Sequence, residues 1–238
     1  MTLLQEVIAA HGGSDRWAQL RHFTVYASVD GALLARKGKR GALKDVVISG
    51  DTRDQRVSIA GFTAPDKRGL YQPDRVAIQT MDGTMLESRD NPAASFDGHT
   101  DQTPWDDLHL AYFCGYAAWT SLTAPFLFAR PGFQTEELEP WRQGNETWRR
   151  LKVVFPPDIV THCREQVFYF SEDGLQRRAD FQTIDTGKEQ ITYFSSAHQP
   201  FSGIVLATLR RALKLGSDGI AVARPAFVDI EIFDARFD

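Results

Sequence analysis

Residues 108–128 contain no charged side chain, and this segment limits what the chain can fold into more than any other. Thr103 is a good helix N-cap, with Pro104 at the first helical position and Asp106 at the third. The sequence therefore predicts a helix that begins there and ends before Pro125. Apolar residues fall on every side of this helix instead of forming one stripe. Such a helix has to be surrounded by protein or by lipid.

The length of this segment permits two interpretations. About 20 apolar residues suffice to cross a bilayer, but His109, Thr120 and Ser121 interrupt the apolar character here. The rest of the chain has the pattern of a water-soluble sheet. We therefore expect no membrane span, and predict that the helix fills the mouth or the interior of a curved sheet.

The chain from Phe23 onward shows a hydrophobic period of two, which is typical of half-buried strands. Turn signals such as Asp30-Gly31 and residues 185–187 separate the runs, and no long helical pattern lies between them, so βαβ crossovers are not expected. Residues 209–215 could also be helical. The predicted strands cover residues 23–29, 45–49, 56–60, 75–79, 136–141, 148–155, 162–170, 175–184, 190–195, 204–213 and 228–232.

These patterns predict a mainly β protein of the α+β class. We expect one domain over residues 1–238, a long antiparallel sheet curled into an incomplete barrel, with an N-terminal helix and the central apolar helix closing one side. Thr2 and Gln5 suit a capping box that opens the N-terminal helix. A chain of 238 residues can bury a full core without a disulfide or a metal. Cys114 and Cys163 are expected to be free thiols, although the sequence leaves a disulfide open.

The charge pattern and the N-terminus give expectations about partners and location. The net charge is −4, and residues 37–40 form only a short basic run, so we expect no nucleic-acid partner. The first ten residues lack a basic region, and Gln5 and Glu6 interrupt their apolar run, unlike a signal peptide. The expected location is the cytoplasm.

Several local features together resemble a known superfamily. A short helix ends at Gly12-Gly13, Trp17 follows, long strands surround an apolar helix, and residues 168–175 form a hairpin. This arrangement resembles the LolA/LolB-like superfamily of bacterial lipoprotein-localisation carriers, which includes cytoplasmic relatives such as a violacein-pathway enzyme. The resemblance implies an incomplete antiparallel barrel with helices closing one side over a hydrophobic cavity, here in a cytoplasmic relative without a signal.

Motifs for common catalytic chemistry are absent from the sequence. There is no Gly-rich phosphate loop, His-Glu-x-x-His, Cys-x-x-Cys or Gly-x-Ser-x-Gly segment. The six His residues are scattered, and no two of them lie two or four positions apart. We therefore expect no metal and no cofactor.

Polar and aromatic side chains of the second half form the most suggestive set. His162, Arg164 and Gln166 alternate along one predicted strand, and Arg178 and Asp180 share a face of the next; the unknown register decides whether the two rows share a face. Decoration of an outer surface, or filling of the core, would use the same residues. The candidate catalytic residues are His162, Asp180 and His198, and the candidate ligand-binding residues are Tyr112, Tyr116, Trp119, Arg164, Phe168, Tyr169, Arg178 and Tyr193.

Three hypotheses for function follow. The first is a carrier that binds a hydrophobic or aromatic small molecule in the half-barrel cavity. The second is a cofactor-free enzyme of small-molecule metabolism that uses acid/base residues in the same cavity. The third is a protein-interaction module whose apolar helix docks on a partner. The sequence leaves the ligand and the oligomeric state open.

Overall fold

A computed structural model describes residues 1–183, 188–216, 221–222 and 224–238 of the chain. Over these residues it contains four α-helices: α1 (Leu3–Ala10), α2 (Ser14–Gln19), α3 (Ala32–Arg36) and α4 (Asp107–Thr123). Two 3₁₀ helices cover Pro92–Phe96 and Phe126–Ala129. The strands are β1 (His22–Asp30), β2 (Leu43–Asp51), β3 (Val57–Ala60), β4 (Lys67–Gln72), β5 (Arg75–Thr80), β6 (Met85–Asp90), β7 (Gln134–Gln143), β8 (Glu146–Val154), β9 (Glu165–Phe170), β10 (Gln176–Gln182), β11 (Gln190–Phe201), β12 (Ile204–Lys214) and β13 (Val228–Phe237).

All thirteen strands belong to one antiparallel sheet, which is not closed into a barrel. Its order is β6-β5-β4-β3-β2-β1-β13-β12-β11-β10-β9-β8-β7, so each strand lies beside its sequence neighbour except at the centre. There the first strand pairs with the last, and Phe23 lies opposite Phe237. The edge strands β6 and β7 are consecutive in the chain, and α4 lies between them in sequence. The predicted mainly β fold with an incomplete barrel is confirmed.

The central helix packs on one half of the sheet, against β3, β4 and β5. Gly115 allows a very close approach to β4, because a Cβ atom at this position would lie only 2.2 Å from Cγ of Tyr71. Farther along the helix, Trp119 is fully buried and its indole Nε1 donates to the carbonyl of Asp51 at 2.8 Å. These contacts hold α4 over the concave side of the sheet.

The start of α4 differs from the sequence prediction. The N-cap is Asp106, whose carboxylate accepts from the backbone N–H of His109 at 2.8 Å, and not Thr103. The reason is a long-range contact. Lys37 is buried, its Nζ donates to the carbonyl of Thr103 at 3.1 Å, and its own carbonyl accepts from the N–H of Trp105 at 3.0 Å. These bonds hold residues 103–105 outside the helix.

The remaining predictions about helices, strands and cysteines were confirmed in part. The capping box of Thr2 and Gln5 is present, and residues 209–215 do not form a helix. The helix α3 and the strands β4 and β6 were not predicted. The end of the predicted strand 175–184 and the turn at 185–187 lie outside the described residues. Cys114 and Cys163 are free.

Within the part of the chain that the structure describes, no helix has both the length and the hydropathy of a bilayer span.

Candidate functional site

A cavity lies between the concave face of the sheet and α4. Its volume is about 170 Å³, roughly ten times the space that one water molecule needs. Eight adjacent strands line it, from β3 across the centre to β9. Since neighbouring strands lie about 4.8 Å apart, the cavity is elongated across the sheet. Most of its wall is apolar and includes Val25, Ala27, Leu43, Val46, Ile48, Phe155, Phe168, Phe181, Ile191, Ile230 and Ile232.

The face of α4 that borders the cavity carries small side chains. Cys114, Ala117, Ala118 and Ser121 line it at the spacing of one helix face, with the larger Phe113 and Leu122 beside them. Burial raises the pKa of the Cys114 thiol to about 12, so this thiol stays protonated and acts as part of an apolar wall. The small side chains leave space that larger ones would fill.

The predicted aromatic residues of α4 lie on other faces of the helix. Tyr112 packs edge-on against Tyr71 with ring centres 5.9 Å apart, and Trp119 is bonded to β2 as described above. Tyr112, Tyr116 and Trp119 are all buried, and none of them lines the cavity. The structure therefore places these predicted ligand contacts in the core between the helix and its neighbours, outside the lining of this cavity.

The register of the second half of the sheet decides which predicted residues reach the cavity. Phe168 lies opposite Ala179, and Ala179 lies opposite Tyr193, so all three point to one face, and all three line the cavity. An irregularity between Gln176 and Arg178 shifts the pairing of β10 with β9 by one residue. Gln176 therefore also faces inward, while Arg178 faces outward.

The predicted polar pair of β10 lies on the outer face of the sheet. Arg178 donates to both carboxylate oxygens of Asp180, at 2.7 and 2.8 Å, and the hydroxyl of Tyr169 donates to the same carboxylate at 2.7 Å. The guanidinium also lies over the rings of Tyr169, Trp141 and Phe194. This cluster satisfies its own charges and takes no part in the cavity. The structure therefore does not bring Arg178, Asp180 and Tyr169 to the cavity. Arg164 does not line it either, and is exposed before β9 begins.

Of the predicted catalytic residues, His162 and His198 do line the cavity. His162 lies before β9 and not within a strand as predicted. Its ring stacks on Phe181 with centres 4.5 Å apart, and its Nδ1 lies 3.2 Å from the hydroxyl of Tyr116. Burial lowers the pKa of His162 to about 3. The neutral ring is therefore a poor general base at neutral pH.

The low pKa of His162 predicts an acid-sensitive fold. In the unfolded chain a histidine has a pKa of about 6.5, so the unfolded state takes up the proton first as the pH falls. Stability is therefore lost from about pH 6.5 downward, until the pH reaches the folded-state pKa of about 3. At pH 5 the loss due to this one group is up to about 2 kcal/mol. Urea unfolding at pH 7.5 and pH 5 measures this loss of unfolding free energy. Carboxylates titrate mainly below pH 5 and contribute little to the difference. We expect a smaller loss in His162→Asn, and an equal loss in both proteins would contradict the assignment.

The polar end of the cavity was only partly predicted. His198 was predicted, but His11 and Arg210, which also line the cavity, were not. Arg210 is 7% exposed, and its guanidinium Nη1 donates to Oγ of Ser121 on α4, while its Nε donates to the carbonyl of Ala207 at 2.9 Å. A signal for Arg210 was available, because consecutive arginines in a strand, here 210 and 211, must face opposite sides of the sheet.

Comparison with known proteins identifies the fold. No protein-family model and no curated protein matches the chain. A solved LolA superfamily protein from Nitrosomonas europaea matches with a TM-score of 0.50 at 10% identity, over 99% of this chain and 92% of that one. A domain from Vibrio parahaemolyticus assigned to outer membrane lipoprotein sorting gives 0.55 at 10% identity, over 99% and 91%. A DUF1329 family protein from Desulfovibrio piger gives 0.53 at 14% identity, over 99% and 92%. The chain therefore has a LolA-like fold.

Proposed function

We propose that this chain binds a hydrophobic or aromatic small molecule in the cavity between its sheet and α4, and acts as a carrier. The observation that carries this proposal is the apolar cavity itself. Protein interiors are normally packed as tightly as organic crystals, yet here a face of small residues on α4 keeps a space of about 170 Å³ open against an apolar wall. Apolar ligand surface buried there contributes about 25 cal/mol per Å² to binding.

The fold supports the same proposal. One of the solved structures with this fold is assigned to outer membrane lipoprotein sorting. A fold alone does not determine a function, so the cavity carries the argument and the likeness adds to it. The cytoplasmic location expected from the N-terminal residues stays a prediction.

The two alternative functions receive less support from the geometry. An acid/base enzyme would need its groups together, but Asp180 lies on the outer face, and among the described residues no Asp or Glu lines the cavity. An interaction module would need an accessible α4. Every residue of that helix from 108 to 123 is buried or half-buried, so docking on it would require the fold to open.

The proposal predicts that Ala117→Phe blocks binding. Ala117 lies on the cavity face of α4, and a phenyl ring there would occupy the space that the ligand needs. We expect the affinity for an apolar fluorescent probe to fall at least about tenfold, which corresponds to about 1.4 kcal/mol. The free energy of unfolding should change little, because the ring fills empty space. Titration of the probe together with urea unfolding measures both quantities.

A matched control is Ala18→Phe, which makes the same change at an exposed position of α2. We expect it to leave the affinity unchanged. Native mass spectrometry of the purified wild type, before and after solvent extraction, would give the mass of a co-purifying molecule. If the probe binds Ala117→Phe as tightly as the wild type, the cavity is not the binding site.

A further inference from the structure

The cavity contains one charged side chain among the described residues, Arg210 on β12. A buried cation is costly unless an anion or several hydrogen bonds compensate it. The two arginines of β10 follow that rule, since Arg178 pairs with Asp180 and Arg177 with Asp173. No carboxylate of the described residues forms an ion pair with Arg210. Hydrogen bonds to Ala207 and Ser121 compensate the charge in part, but no anion of the described residues balances it.

The hydrogen bonds of Arg210 leave part of its guanidinium free. Nε donates to the carbonyl of Ala207, and Nη1 donates to Ser121 on α4. Nη2 has no protein acceptor among the residues that the structure describes. Its two N–H groups remain available for an acceptor inside the cavity.

His198 offers a second donor beside this group. Nη1 of Arg177 lies 3.2 Å from Nδ1 of His198, and because an arginine only donates, Nδ1 must be the acceptor. The hydrogen of the neutral ring is therefore on Nε2, which is buried without a hydrogen-bond partner in the described structure. His198 lies opposite Ala207 in the sheet, and Arg210 donates to that same Ala207. The two donors therefore lie on paired strands and both line the cavity.

We propose that the ligand is an amphiphile with a carboxylate headgroup, and that Nη2 of Arg210 and Nε2 of His198 donate to this carboxylate. The apolar part of the ligand extends away from them across the sheet, along the wall of aliphatic and phenylalanine side chains. This proposal deepens the carrier function above and rests on it.

The charge balance favours a carboxylate over a phosphate. Burial lowers the pKa of His198 to about 4, and burial is also the largest reason why the pKa of His11 is lowered. Both rings are therefore neutral at pH 7, and the charge of Arg177 is matched by Asp173. One positive charge remains at Arg210. It balances one carboxylate, whereas a phosphate monoester carries about 1.5 to 2 negative charges.

The experiment compares three ligands with the same chain: dodecanoate, dodecan-1-ol and dodecyl phosphate. Their dissociation constants are measured at pH 7.5 with the delipidated full chain by displacement of a fluorescent probe. We expect the carboxylate to bind at least about tenfold more tightly than the alcohol, since hydrogen bonds to charged groups contribute about 1.5–3 kcal/mol. The phosphate should bind no more tightly than the carboxylate. In Arg210→Gln the preference for the carboxylate should disappear, while the alcohol keeps its affinity.

The matched control is Arg211→Gln, the neighbouring arginine on the outer face, which pairs with Asp229 and should keep the full preference. The comparison of ligands on the wild type needs no variant, so it decides the question even if Arg210→Gln does not fold. If the alcohol binds but the carboxylate binds no better, the headgroup proposal is wrong and the carrier function stands. A persistent preference in Arg210→Gln, or a tighter phosphate, also overturns it. If none of the three dodecyl ligands binds to the protein, the carrier function itself is wrong.

Discussion

We expect Trp119→Ala to lower the free energy of unfolding by about 4 kcal/mol, because truncation of a fully buried tryptophan typically costs about 3–5 kcal/mol. Trp119 is 0% exposed and anchors α4 to the end of β2 through its bond to the carbonyl of Asp51. Its loss leaves a void and removes the hydrogen bond to the Asp51 carbonyl. Urea unfolding followed by circular dichroism measures the effect without relying on tryptophan fluorescence.

Trp141→Ala is the control for this prediction. Trp141 is 38% exposed on the edge strand β7, and its Nε1 donates to the side chain of Gln143 on the same strand. We expect a loss of about a third or less of that in Trp119→Ala. The variant Trp119→Phe separates the two causes, since it keeps most of the volume and removes the hydrogen bond. Equal losses at positions 119 and 141 would mean that α4 is not anchored as the structure shows.

Gly115→Ala should be destabilising by about 3 kcal/mol, the upper end of the cost of overpacking a core. Helix propensity alone predicts the opposite sign, because alanine stabilises a helix interior by about 1 kcal/mol relative to glycine. The difference arises from Tyr71, whose Cγ and Cβ would lie 2.2 and 2.3 Å from the new methyl group. These atoms are close to the backbone of β4, so the side chain cannot swing away from the contact.

A double mutant tests this cause. In a Tyr71→Gly background both the Cβ and the Cγ atom of residue 71 are absent. The methyl group of Gly115→Ala then meets neither atom, and we expect this substitution to cost less than about 1 kcal/mol. The measurement is a double-mutant cycle of unfolding free energies. If Gly115→Ala costs the same in both backgrounds, the helix does not rely on close contact with Tyr71. If it stabilises the wild type, propensity outweighs packing at this position.

The short-range sequence pattern predicted the fold better than it predicted the residues of the site. Alternating residues and turn signals predicted most strands, and the apolar segment predicted a buried α4. The faces of strands depend on register, which short-range pattern does not determine. One irregularity between Gln176 and Arg178 therefore placed Arg178 and Asp180 outside the cavity.

The other misses have a similar physical origin. The N-cap of α4 moved from Thr103 to Asp106 because Lys37, distant in sequence, binds residues 100 and 103. The aromatic side chains of Tyr112, Tyr116 and Trp119 were predicted as the ligand surface of α4. Large side chains fill space, however, and a cavity is left where the side chains are small, as at Ala117. Tertiary contacts such as that of Gly115 with Tyr71 determine how the helix is turned against the sheet, and short-range pattern does not contain them.

β1 is synthesised long before β13, the strand with which it pairs at the centre of the sheet. Phe23 of β1 lies opposite Phe237 of β13, so about 200 residues are synthesised between the two paired strands. At about 5–20 residues per second, a ribosome takes roughly 10–40 s between them. During that time β1 presents an unpaired edge, which is an opportunity for wrong pairing with another chain. The open edge of β1 therefore stays exposed to wrong pairing until β13 has been synthesised.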